Sequence, residues 1–332
     1  MVHHAHSHGE IKMYGDIKLY AGSGSPDLAQ KIADYLDQPL SPREIIQFPN
    51  ENIFVKLNNS ARGQDVYVIQ TTSSPVHYNL MELLIMIQTV RLDSAARITA
   101  VVPYLCYGRS DKKDQPRVPI TARLVADMIE RAGADRYMTF DPHAGQIQGF
   151  FSIPGDVLTA SHMITGHIKH FMQRDMKDPV VVATDLGFAK KGRNYALDLD
   201  VPIAFIEKRR ASNDSKAEAL TLIGDVRGHD VIIVDDEVDT GGSIAQAVDV
   251  VTKHGCRDIY LAFIHPIFSK SASQRLADLP IKQMIMTDTV PIPLAKMKPL
   301  EGRITVVSIA PLLGEVIRRA HEGRSVGEMF NE

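Results

Sequence analysis

The feature that most limits what this chain can become is a repeated change of period. Short apolar, β-branched runs alternate with stretches whose apolar residues recur at helical spacing. IKLYA (17–21) reads as a strand that SGSP interrupts, and Leu28, Ile32, Tyr35 and Leu36 then share one face of a helix over 27–37. DVYVIQT (65–71) is a second strand, followed by a helix at 78–91. RITAVVPYL (97–105) is a buried strand leading to a polar loop (107–119) and a helix (120–132) that Gly133 ends. DRYMTFD (135–141) is a strand again. The pattern then restarts with PVVVATD (179–185), VPIAFIEK (201–208), HDVIIVDD (229–236), RDIYLAFIH (257–265) and KQMIMTD (282–288), with a last helix near 311–322. Such alternation builds mainly parallel sheets covered by helices, the α/β class. Two sets predict two similar α/β domains, 16–158 and 159–332, with the last helix packing on either one.

Composition narrows the function. At roughly 150 residues per domain, 332 residues suit two domains. Lys and Arg number 37 against 40 Asp and Glu, a formal charge of −3 that argues against a nucleic-acid binder. The longest apolar stretches, such as 83–87, fall far short of the roughly 20 residues of a membrane span. Cys106 and Cys256 stand too far apart in sequence for a metal knuckle and read as thiols of a reducing cytoplasm. The opening MVHHAHSHGE carries His3, His4, His6 and His8 but no apolar signal core, so 1–15 is expected to be a disordered extension outside the fold.

In open α/β sheets, ligands sit at the carboxyl ends of strands. The string VIIVDDEVDTGGS (231–243) places Asp235 and Asp236 at such an end and follows them with a Thr-Gly-Gly-Ser turn into a helix. Glycines let a ligand approach the backbone, and the first amides of the helix make an anion cradle to which Thr240 and Ser243 add hydroxyls. Two adjacent aspartates would repel a phosphate, so they suit a divalent cation or sugar hydroxyls beside it. The plain alternative is an acidic loop closed by a glycine turn.

This string resembles the phosphoribosyl-pyrophosphate motif of type I phosphoribosyltransferases and of ribose-phosphate pyrophosphokinases. MELLIMI (81–87), YGRSDKKDQPRVPITARL (107–124), DPHAGQIQGFFSIP (141–154) and EKRRASNDSKAE (207–218) are similar to the pyrophosphokinase family, and that resemblance runs over nearly all of 17–330. It implies two domains of the type I phosphoribosyltransferase-like kind. It also implies transfer of the β,γ-diphosphoryl group of ATP to the anomeric hydroxyl of ribose 5-phosphate.

The same resemblance distributes roles. Lys208 and Arg210 become the catalytic cations of a loop that closes over the transferring group. His143 and Asp185 help hold magnesium with ATP, Arg109 contacts ATP, and Asp114 lies on the adenine side. Phe48 and Asn50 form an adenine site lent by a neighbouring subunit. Asp239, Thr240, Gly241, Gly242 and Ser243 hold the 5-phosphate, with Asp235 and Asp236 beside the ribose hydroxyls. Arg117 is a candidate for a regulatory phosphate site. The family also implies dimers gathered into a homohexamer, with ADP and phosphate as regulators. The chain departs from the family pattern at Ser110, Pro142, Phe188, Ser243 and around Asn52. Two other readings fit parts of the string: a phosphoribosyltransferase, and a non-catalytic regulatory subunit.

Overall fold

Strands and helices alternate through the chain from β1 (Ile17–Ala21) and α1 (Pro26–Leu36) onward. The computed structural model describes residues 14–210 and 218–330; the histidine-containing expectation for 1–15 falls almost wholly outside them. A hairpin, β2 (Arg43–Gln47) and β3 (Ile53–Leu57), precedes β4 (Asp65–Ile69), α2 (Val76–Leu92), β5 (Arg97–Val102), α3 (Thr121–Ala132), β6 (Arg136–Phe140) and β7 (Gly155–Leu158). The second half runs through α4 (Ser161–Asp175), β8 (Val180–Ala183), α5 (Ala189–Leu199), β9 (Ile203–Arg210) and β10 (Glu218–Ile223). It continues with β11 (Val231–Val238), α6 (Gly242–Lys253), β12 (Ile259–Pro266), α7 (Ala272–Ala277), β13 (Ile281–Thr287), α8 (Leu294–Met297), β14 (Ile304–Val307) and α9 (Ala310–Glu322).

The first sheet is parallel throughout, in the order β1-β4-β5-β6-β7. The second has the order β10-β9-β8-β11-β12-β13-β14 and is parallel except for the antiparallel edge pair β9–β10. Its connections run one way from β8 to β9 and the other way from β8 to β11. A crevice therefore opens between β8 and β11 at their carboxyl ends.

Burial divides into three apolar clusters. One lies under α2 and α3 on the outer face of the first sheet, around Val68, Leu83, Ile87 and Ile129. Another lies under α6 and α7 on the outer face of the second sheet, around Ile233, Val248 and Phe263. The third joins the two sheets: Tyr67, Val101 and Phe140 share it with Ile164 of α4, Tyr195 of α5 and Ile232, Ala262 and Ile285 of the second sheet. The two sheets, one in each half of the chain, thus share a common inner core. The last helix settles on the first sheet's side. Leu313 and Ile317 of α9 enter the inner core, Gly314 lies against Tyr35 of α1, and His321 Nδ1 stands 2.8 Å from Asp65 Oδ2. Asp65, fully buried, also takes both arms of Arg97, at 2.8 and 2.6 Å, and Arg97 donates on to the Ala320 carbonyl at 2.9 Å. No helix among the described residues is long and apolar enough to cross a membrane, and both cysteines are free thiols.

Candidate active site

The carboxyl ends of β8 and β11 carry most of the expected residues. β11 runs two residues beyond Asp236, so Asp235 and Asp236 lie within the strand rather than at its end, a correction to the sequence reading. Strand alternation sends their side chains to opposite faces. Asp236 shares the parity of Ile232 and Val234 and faces the inner core, where His143 Nδ1 lies 2.9 Å from its Oδ2. Asp235 faces the other way, accepts from Thr184 Oγ1 at 2.8 Å, and takes the Asp236 amide on its second oxygen at 2.8 Å.

Their acidities separate accordingly. Burial, and then the neighbouring Asp236 charge, holds the Asp235 carboxyl well above the ordinary range. Burial acts on Asp236 too, but the hydrogen bonds from His143 and Asp235 and the charge of Lys191 outweigh it, bringing Asp236 down to about 2. The same bond to Asp236 raises the His143 imidazole above its usual value.

Downstream, Gly241 adopts φ +74 and ψ 6, the left-handed conformation that glycine takes at little cost, and α6 starts at Gly242. The turn is held from outside. Phe268 and Ser269 amides donate to the Val238 and Asp239 carbonyls at 3.0 and 2.9 Å, and Arg275 Nη1 donates to the Thr240 carbonyl at 2.7 Å. With those carbonyls engaged, the first amides of α6 head the cradle, since they have no partner within their own helix. Arg109, Asp235, Glu237 and residues 238–244 line this small cavity. Arg109 pairs with Glu237 and lies 3.8 Å from Asp239, so it arches from the first sheet's loop over the cradle.

Asp185 follows β8 and accepts the Phe188 amide at 2.8 Å. Phe188, where the family pattern has glycine, is right-handed (φ −86, ψ −3) and its ring is buried in the inner core, so this loop does not require glycine. No cluster of three His, Cys, Asp or Glu able to hold a metal occurs among the described residues. The donor set suits a magnesium ion that keeps waters and arrives with substrate phosphates. His143 Nε2 and the second oxygen of Asp185 are the groups that would reach it, with the Asp236 bond orienting the imidazole.

Other expected residues stand apart. Phe48 and Asn50 sit at the tip of the β2–β3 hairpin, Phe48 exposed at 45% with its ring 6.2 Å from Phe54, and Asn50 Oδ1 accepts the Asn52 amide at 3.2 Å. Asp114 and Arg117 are exposed on the loop after β5. Lys208 and Arg210 were read as opening a loop; their backbones instead lie in β9, paired with Leu220 and Glu218 of β10, while their side chains and residues 211–217 lie outside the described residues. Sequence reasoning missed Thr184, Glu237 and Lys191. Glu237 had a signal, since it lies two residues after Asp235 and so on the same strand face.

Comparisons with known proteins identify the family to which the chain belongs. Residues 17–133 match a family described as the N-terminal domain of ribose phosphate pyrophosphokinase, and residues 211–331 match the phosphoribosyl synthetase-associated domain. The chain is 44% identical over 317 residues to the ribose-phosphate pyrophosphokinase of Caldanaerobacter subterraneus subsp. tengcongensis, covering 95% of this chain and 98% of that protein. It is 43% identical over 314 residues to that of Aquifex aeolicus, covering 95% and 99%. The crystal structure of phosphoribosylpyrophosphate synthetase from Mycobacterium smegmatis superposes with a TM-score of 0.87 at 41% identity, covering 93% of this chain and 99% of that one.

Proposed function

Since the chain belongs to the ribose-phosphate pyrophosphokinase family, we propose that the crevice between β8 and β11 is where it carries out that family's reaction. The protein is an enzyme that forms phosphoribosyl pyrophosphate and AMP from ATP and ribose 5-phosphate. The anomeric hydroxyl attacks the β-phosphorus, the bond from the α,β-bridging oxygen to that phosphorus breaks, AMP departs, and the hydroxyl proton is lost. Such a transfer is governed by positioning and by neutralising charge on the moving group.

The observation that carries the assignment of residues is the left-handed turn at Gly241 between the buried aspartates and the start of α6. Asp239, Thr240, Gly241, Gly242 and Ser243 hold the 5-phosphate, and Asp235 and Asp236 lie by the ribose hydroxyls. His143 and Asp185 would hold magnesium, which supplies charge neutralisation on the diphosphoryl oxygens. Lys208 and Arg210 bring cations to the transferring group from β9. Before substrate binds, Arg109 is occupied by Glu237 and Asp239; in the ternary complex it turns to ATP, with Asp114 on the adenine side. The exposed Phe48 and Asn50 serve a neighbouring subunit's adenine, which makes the working form a homo-oligomer, dimers gathered into a hexamer, in the cytoplasm. ADP and inorganic phosphate act as regulators, with Arg117 in the phosphate site.

The test is AMP formation from ATP and magnesium, with and without ribose 5-phosphate. AMP that depends on ribose 5-phosphate and equals the phosphoribosyl pyrophosphate formed supports the reading. Folded, oligomeric protein that releases no AMP under these conditions overturns it.

A further inference from the structure

Asp141, Pro142 and His143 connect the end of the first sheet to the catalytic cleft, and each is gripped by a different element of the second sheet's half. Asp236 of β11 holds the His143 ring, Lys191 Nζ of α5 donates to the Pro142 carbonyl at 3.1 Å, and His265 at the end of β12 reaches the backbone at Asp141. Asp141 is left-handed, φ +35, a conformation that a non-glycine residue keeps only when its surroundings impose it. Its amide donates to the Leu158 carbonyl at 2.9 Å, and its carboxylate takes the Ala160 amide at 2.8 Å and the Thr159 hydroxyl at 2.9 Å. That leaves its carbonyl, and His265 supplies the partner.

His265 is buried at 3% exposure, and its tautomer follows from its neighbours. Nε2 faces only acceptors, the Phe140 carbonyl at 3.2 Å and the Asp141 carbonyl at 3.3 Å, so it carries the proton. Nδ1, left without a proton, lies 2.9 Å from Thr289 Oγ1 and accepts from that hydroxyl, since the Ile264 carbonyl, also near the hydroxyl at 3.3 Å, already takes the Thr287 hydroxyl at 2.7 Å. Tyr104 meets the ring edge-on at 5.1 Å, and Thr71 of the first sheet's half fixes Thr289 by donating to its carbonyl at 2.9 Å. Burial lowers the imidazole's pKa, which keeps this neutral arrangement. A leucine would fill the space but could not bond across to the other sheet's loop.

Resting on the function proposed above, we propose that His265 is a positioning residue: by bonding the Phe140 and Asp141 carbonyls it fixes the left-handed turn that sets His143 opposite Asp236. It touches no substrate and acts through the loop. Its effect falls on the geometry of the diphosphoryl transfer, because its bonds go to the Phe140 and Asp141 carbonyls, whereas the ribose 5-phosphate cradle on β11 and α6 is held by Phe268, Ser269 and Arg275.

Replacing His265 by Leu, Gln and Asn tests this. Gln extends a donor to the Nε2 position, whereas Asn reaches only the Nδ1 position. His265→Leu is expected to lower kcat by about 10- to 100-fold, the scale of an ångström-level misplacement, with the KM for ribose 5-phosphate changed by less than about threefold. His265→Gln recovers kcat to within about fivefold of the parent and His265→Asn does not, while amide exchange at 141–144 speeds up in Leu and Asn only. A folded Leu variant with kcat within about twofold of the parent overturns the proposal, as does equal loss in all three variants in step with their melting temperatures. If the Leu variant does not fold, the Gln–Asn contrast decides. If the parent makes no ribose-dependent AMP, the proposed function falls instead, and the exchange rates still decide whether His265 holds the loop.

Discussion

Replacing Gly241 isolates how much of the phosphate cradle is backbone geometry. A Cβ added there would meet nothing nearer than 3.7 Å, from Arg275 and Leu276, so Gly241→Ala creates no clash. What remains is the left-handed φ of +74, which costs an alanine about 1–2 kcal/mol relative to glycine. If the turn relaxes when unliganded, only the fraction still in the cradle conformation binds phosphate. At about 1.4 kcal/mol per tenfold, ribose 5-phosphate should bind about 5- to 30-fold more weakly. Calorimetric titration with ribose 5-phosphate reads this directly, and the KM in AMP formation should follow with kcat little changed. Asparagine tolerates this conformation and should lose less than alanine, and valine should lose more. Unaltered affinity in a folded Ala variant would refute the reasoning, and equal losses for Asn and Ala would point to side-chain obstruction instead.

Three other perturbations have definite outcomes. Arg97→Leu leaves the buried Asp65 carboxylate with only His321 and the Tyr67 hydroxyl and should cost about 3 kcal/mol in urea unfolding, most of it recovered in Asp65→Leu/Arg97→Leu. Asp236→Asn should bring the His143 titration, followed by NMR, back toward its ordinary value. The raised imidazole contributes stability below about 6.5 that is lost as pH climbs through its folded pKa, while the lowered Asp236 contributes above about 3.9 and loses its share as pH falls toward 2. The stability gap between parent and Asn variant, from urea midpoints, should therefore be widest between about pH 4 and 6.5 and narrow on either side. Chelating divalent cations should stop AMP formation, with full recovery on adding magnesium, yet shift the melting temperature little, because no three-ligand cluster among the described residues ties the fold to a metal.

Much of this was legible in sequence because burial enforces it. PVVVATD and HDVIIVDD became β8 and β11 since a parallel strand covered on both faces must be apolar along its length. The TGGS turn was legible for the opposite reason, since its glycines mark backbone other residues avoid. Edges escaped. REIIQ and IFVKL pair as a hairpin with polar side chains left in water, and EALTLI and ITVV are sheet margins, so none carries a long apolar run. Thr184, Lys191 and His265 escaped because their partners lie 51, 49 and 125 residues away along the chain, and only the shared inner core brings those segments together. Phe188 looked like an interruption of a glycine loop, but its right-handed backbone and buried ring make it a core residue.

The return of α9 to α1 has a consequence for how the molecule is made. The first sheet leaves the ribosome early, but α9, which supplies Leu313, Val316 and Ile317 to its inner face and Ala320 and His321 to the Arg97–Asp65 pair, is synthesised well after the last strand of that sheet. Until then the nascent chain carries an unfinished apolar face and a buried carboxylate lacking part of its support. A polypeptide stopped before residue 310 keeps the catalytic strings of both halves yet lacks the clasp that joins them. Quality control that reads exposed apolar surface would distinguish such truncated chains from those that carry α9 without any reference to activity.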